Sequence, residues 1–162
     1  MSATPIPRTK RFFAPGITKI VICTVLNDYK NPTRSEIDGG KEVSGEVSAV
    51  NGFNVTSNMI DAPDYGGTFT SQNSGRTQAA DSSLTFYQDK FTDDARRWLS
   101  RGTTGFVIFM WGGDVPDQLC DVFPFEVASV GKQIPENADA DMVVAMPVTA
   151  EPAEDVAIPA AA

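Results

Sequence analysis

Hydrophobic residues in this chain alternate with polar ones more often than they recur at helical spacing. Val43, Val47, Ala49, Phe53 and Val55 sit among Ser, Glu, Asn and Thr with a period of two, which predicts half-buried strand between Val43 and Met59. Asn51-Gly52 lies inside that stretch and fits either a tight hairpin turn or a bulge in one long strand. Ile17–Leu26 is a β-rich run bounded by Gly16 and Asn27-Asp28, and Leu84 with Phe86 resumes the strand pattern further on. Gly105–Trp111 is almost continuously apolar, the mark of a strand buried on both faces, and Gly112-Gly113 turns it. Leu119–Val130 and Ala140–Thr149 complete the strand set.

Two short helices interrupt the strands. Thr33 with Glu36 three residues on makes a capping box, and Gly39-Gly40 supplies a stop. Thr92-Asp-Asp94 opens the clearer helix, over Asp93–Ser100, with its carboxylates at the positive end and Arg96, Arg97 and Arg101 toward the negative end. Ala95, Trp98 and Leu99 share one face of it and should plug the core. Phe106, Ile108 and Phe123 join Trp98 and Leu99 as core candidates. The expected fold is mainly β: an antiparallel sandwich or barrel over residues 17–149, with a flanking α-helix.

Three segments do not fit a core. Residues 61–82 hold Gly66, Gly67 and Gly75 among Ser, Thr and Gln, with Tyr65 and Phe69 as the only large apolar side chains, and read as a long inter-strand loop. Residues 1–16 combine three prolines with Arg8-Thr-Lys10-Arg11 and Phe12-Phe13, and read as an extended N-terminal arm. Residues 150–162, mainly Ala, Pro and Glu, read as a C-terminal arm.

Charge sharpens this picture. Of 162 residues, 1–41 carry a net +4, 42–101 a net −3 and 102–162 a net −9, giving −8 overall. So acidic a chain does not wrap nucleic acid, which needs clustered cations. Its longest apolar run is about a third of a membrane span. Histidine is absent, removing the commonest general base and zinc ligand. Cys23 and Cys120 are far apart, outside any C-x-x-C pattern, and are expected to be free, buried thiols because no cleavable signal segment is recognisable. Nucleotide-binding, hydrolase-elbow and metalloprotease motifs are missing, and no acid pair is singled out among 21 carboxylates. These residues describe an acidic β-domain with two arms, no catalytic residues, no metal and no cofactor.

Several segments together resemble the major tail tube proteins of long-tailed, siphovirus-type bacteriophages, particularly those of actinobacteria. They are Asn31-Pro-Thr-Arg-Ser-Glu-Ile-Asp-Gly-Gly40, Val50-Asn-Gly-Phe53, Asp61-Ala-Pro63, and Ser74-Gly-Arg-Thr77 leading into Asp81–Tyr87. Arg101-Gly-Thr-Thr-Gly-Phe106 then runs through Gly112–Pro116 to Asp121–Pro124 and Ser129–Lys132, and Glu151-Pro-Ala-Glu154 to Ile158-Pro159 closes the series. Met1–Pro15 departs from the family pattern. The resemblance implies a non-enzymatic β-sandwich of the virion tail, assembled in the host cytoplasm into stacked hexameric rings. The hollow tube so formed houses the tape-measure protein, meets tail terminator and distal tail proteins at its ends, and later conducts the genome without binding it. An acidic lumen would repel phosphate. Arg8, Lys10, Arg11, Phe12, Phe13, Tyr65, Phe69, Arg76, Glu151, Glu154 and Asp155, in the loop and arms, are the subunit-interface candidates. The competing reading is a non-catalytic carbohydrate- or protein-binding sandwich, which needs an exposed tryptophan; Trp98 and Trp111 both sit in patterns that argue for burial.

Overall fold

The computed structural model describes residues 2–90 and 95–161. The continuous apolar run predicted at Gly105–Trp111 is strand β7 (Thr104–Met110), flanked by β1 (Lys19–Cys23) and β8 (Leu119–Glu126), all antiparallel. Its two faces serve two cores. Val107 and Phe109 face one cluster with Ile20, Ile22, Phe123 and Phe125, while Ile108 and Met110 face another with Val21, Cys23, Cys120 and Val122. Burial on both sides is why polar alternation is lost here.

The second cluster is covered by α1 (Arg34–Asp38) and the segment before it. Thr33 caps this helix as the sequence predicts: its side chain accepts from the Glu36 amide, and the Glu36 carboxylate accepts from the Thr33 amide at 2.8 Å and the Asn27 amide at 3.0 Å. These bonds hold the Glu36 carboxyl below its usual pKa. Gly40, just beyond, must be glycine, because a Cβ there would lie 2.6 Å from Cys23 Sγ and from Val21 Cγ1.

The first cluster is the sandwich interior. Its other wall is a four-stranded sheet of β3 (Val47–Asn51), β6 (Ser83–Tyr87), β10 (Asp141–Ala145) and β9 (Ser129–Gln133), in that order. Leu84, Phe86, Met142 and Val144 point inward from it. The five-stranded sheet is completed by β2 (Lys41–Glu42) beside β1 and β11 (Ala153–Ala157) beside β8. One end of the interior is plugged by Ala95 and Leu99 of α2 (Ala95–Trp98) and its exit, with Trp98 partly buried and edge-on to Phe86. The expected start of that helix, Thr92–Asp94, lies outside the described residues.

Four expectations change. Residues 61–82 are not a loop: β4 (Val55–Ala62) and β5 (Ser71–Ala79) form a hairpin whose tip alone, 63–70, is irregular. Asn51-Gly52 is neither hairpin turn nor bulge. Gly52 (φ +76°) and Phe53 (φ +56°) carry the chain out of the four-stranded sheet into that separate hairpin. Leu119–Val130 is two strands in different sheets, since the chain crosses the sandwich at Val127-Ala128. Residues 150–162 are not a free arm either: β11 pairs with β8, and Ala153 and Ile158 are buried.

Candidate functional site: assembly surfaces

The β4–β5 hairpin has eight residues in one strand and nine in the other, and pairs with neither sheet. Its side chains are almost wholly exposed, including Met59 (65%), Ile60 (57%), Tyr65 (110%) and Phe69 (83%). Only small polar contacts decorate it, such as Ser57 Oγ to Ser74 Oγ at 2.9 Å. A two-stranded ribbon without a packed face is marginally stable in water. Its exposed apolar side chains are unspent binding surface.

The four-stranded sheet offers a second feature. Among the described residues, the outer edges of β3 and β9 have no strand partner. Across β6, β10 and β9 its outward face, opposite the buried Leu84, Phe86, Met142 and Val144, carries Ser83, the buried Thr85 and the exposed Tyr87, then Val143 and Ala145, then Ser129, Gly131 and Gln133. Those three strands place no Lys or Arg on this face, and its one charge there is Asp141. Lys132 sits opposite Met142, on the other side.

A charged staple holds the opposite sheet's turn. Asp114, after β7, accepts from Arg34 Nη1 at 2.6 Å, Arg34 Nη2 at 2.7 Å and Lys19 Nζ at 3.1 Å. Arg34 also reaches Asp38 at 2.7 Å. The Arg34 pair holds the Asp114 carboxyl down at about 2, and its carboxylate partners raise Arg34 further above its already high value. Sequence reading missed this set because Lys19, Arg34 and Asp114 are 15 to 95 residues apart. Burial pushes the Cys23 and Cys120 thiols up to about 11.

The predicted interface residues scatter over this surface. Arg8, Lys10, Arg11, Phe12 and Phe13 lie in residues 2–13, which have no regular secondary structure and are exposed throughout. Tyr65 and Phe69 occupy the hairpin tip and Arg76 its second strand, all but Arg76 fully open to solvent in this monomer and Arg76 also exposed. Glu151 and Glu154 line a groove of about 600 Å³ at the hairpin root together with Asp81, and Asp155 is exposed nearby in β11. No ion pair among the described residues joins the basic arm to these acids within one chain. Of the core candidates, Leu99, Ile108 and Phe123 are buried, whereas Trp98 and Phe106 are partly buried and pack against the two clusters. Trp111, expected inside, is 40% exposed.

Among the described residues there is no group of three or more Asp, Glu or Cys placed to hold a metal ion, and no helix long and apolar enough to cross a membrane. A family described as phage tail tube protein matches residues 6–161. No curated protein matches the chain.

Proposed function

The chain belongs to the phage tail tube protein family, and from that premise we propose how this structural protein of the virion tail builds its tube. Self-assembly into a tube follows from the family; rings of six are the proposed unit. A ring requires a heterologous contact between two different patches, so that each copy gives one and receives the other. The β3 edge and the β9 edge of the four-stranded sheet are such a pair. Joining β9 of one copy to β3 of the next continues the sheet around the ring, 24 strands in all. At about 4.8 Å per strand this makes a cylinder roughly 37 Å across before strand tilt.

The sheet's outward face then becomes the lumen wall. Neutral side chains, Tyr87 and Gln133 among them, and Asp141, without a cation, suit a conduit that must pass a polyanion without gripping it. The hairpin reaches the adjacent ring, where Met59, Ile60, Tyr65 and Phe69 find the packing they lack in the monomer. The tape-measure protein occupies the lumen before the genome does. Terminator and distal tail proteins cap the ends, and assembly proceeds in the host cytoplasm. No step in this role needs catalysis.

The hairpin is the observation that carries the proposal, since it is an element with two exposed faces and no strand partner outside itself among the described residues. Negative-stain electron microscopy of the purified chain is expected to show tubes or rings. Replacing residues 57–77 with a short turn should leave a folded monomer that forms none. Tubes of unchanged geometry from the shortened chain would refute the hairpin's role. Uniform monomers from the intact chain would favour the carbohydrate- or protein-binding reading.

A further inference from the structure

The N-terminal arm carries three exposed apolar side chains, Ile6 (88%), Phe12 (55%) and Phe13 (77%). Pro5 and Pro7 bias its first half to an extended polyproline conformation, which loses little entropy on docking. Its charges are all positive, with no acid before Asp28. Such a segment fits an aromatic-walled groove with a carboxylate at its rim.

The structure holds one. A groove of about 740 Å³ opens between the start of β1 and the interior-facing side of β3, walled by Ile17, Val47, Val50 and Trp111 and lined also by Glu42. Its volume lies in the range of built ligand sites. Trp111 is fixed in place: its ring stacks on Phe109 at 5.2 Å and 11°, and its Nε1 donates to Asp121 Oδ2 at 2.7 Å. Glu42 is 58% exposed and meets Lys19 only at 3.8 Å, so it remains open to a guanidinium. Asp114, by contrast, is saturated by Arg34 and Lys19.

The arm's own root forms one lip of this groove. Ile17 and Thr18 both donate to the Ala14 carbonyl, at 3.0 and 2.9 Å, closing a turn that delivers residues 2–13 to the outside. Twelve residues in polyproline form span about 37 Å. That is more than twice the radius of gyration of roughly 15 Å expected for a body of this size, long enough to reach a neighbour.

We propose that the N-terminal arm of one copy docks in the Trp111 groove of a second copy, with its prolines or phenylalanines against Trp111 and Val50 and one of its cations on Glu42. This rests on the tube reading, because it takes the partner to be another copy of the chain. Each copy gives an arm and receives one, so the contact propagates.

A photo-crosslinking benzoylphenylalanine placed at Phe12 of the full chain tests it, with light and heavy isotope-labelled copies mixed before irradiation. Mass spectrometry is expected to find mixed-label adducts on the peptides holding Val47–Val50 or Trp111. Val50→Lys, at a 40% exposed position that tolerates a polar side chain, should cut their yield about tenfold, equivalent to about 1.4 kcal/mol. Adducts only within one chain, or on the hairpin or other surfaces, would overturn the proposal. Micrographs of the same samples separate the two ideas: tubes without groove adducts sink the arm contact alone, and absence of tubes from the unmodified chain sinks the tube reading.

Discussion

Asp114→Asn is the most informative single perturbation of the subunit. The side chain keeps its shape but loses the charge that draws together Arg34 of α1, Lys19 of β1 and the turn after β7. Its carboxyl sits at about 2 rather than the ordinary 3.8, with the Arg34 hydrogen bonds the largest cause. With 18% of the Asp114 side chain exposed, that drop corresponds to roughly 2 kcal/mol of folding stability at neutral pH. Removing one member of a fully buried pair can cost about 3–5 kcal/mol. Here Arg34 retains Asp38 and Lys19 retains Glu42, so the lower figure governs.

For a chain of this size, each kcal/mol shifts the melting temperature by about 2–4 °C, so the variant should melt about 4–8 °C below the parent at pH 7. The pH dependence is the stricter check. Asp114 titrates lower in the folded state than in the unfolded one, so its contribution is complete above about pH 5 and lost as pH falls through 4 toward 2. About half should remain at pH 3. Denaturant titrations of both proteins at pH 7 and pH 3 measure this. Equal stability at pH 7, or a gap that does not narrow at pH 3, would show that the staple contributes nothing through charge.

Trp98→Ala should cost about 3 kcal/mol by removing a ring that packs edge-on to Phe86 and lies 4.6 Å under Lys41 Nζ. Trp98→Phe should cost far less, because the Trp98 Nε1 is buried without an acceptor among the described residues; equal losses in the two melting curves would contradict this. Cys23 and Cys120 should resist alkylation at pH 8 in the folded chain, about 100-fold below a denatured control, since both are buried and titrate near 11. Rapid labelling without denaturant would place either thiol at the surface.

How legible each element was depended on how many of its faces are buried. β7 has two buried faces and shows as an apolar run; β6 and β10 have one and show as alternation. β5, with the sequence Ser-Gln-Asn-Ser-Gly-Arg-Thr-Gln-Ala, has none, and period-two reading has nothing to detect. Its strand character comes entirely from backbone pairing with β4. β11 was hidden for a different reason: it is an edge strand held by Ala153 and Ile158, and two buried apolar residues in an Ala-Pro-Glu tail leave no pattern. Gly52 announced a break, but not its direction. Any Cβ there would collide with the Asp81 carbonyl and approach Ser82 Cα to 2.8 Å, so the break depends on a strand that comes thirty residues later. The charged staple is non-local in the same sense. Capping boxes are local and were readable; long-range ion pairs were not.

Open sheet edges are normally a liability, and this chain blunts them without closing them. β3 carries a register irregularity between Val47 and Ala49, and β9 is five residues long with Gly131 and Lys132 in its middle. Twisted or charged edges resist indiscriminate pairing. A net charge of −8 adds long-range repulsion between free copies. These devices oppose self-association, yet the hairpin, the arm and the Trp111 groove all leave apolar surface exposed. The combination favours assembly that requires several contacts at once: no single edge or patch overcomes the repulsion, but a growing end presents edge, groove and hairpin site together. Effective concentration then makes each later contact intramolecular. A subunit built this way is expected to add to an existing end faster than it starts a new one, so tubes from the purified chain should appear after a lag rather than at once.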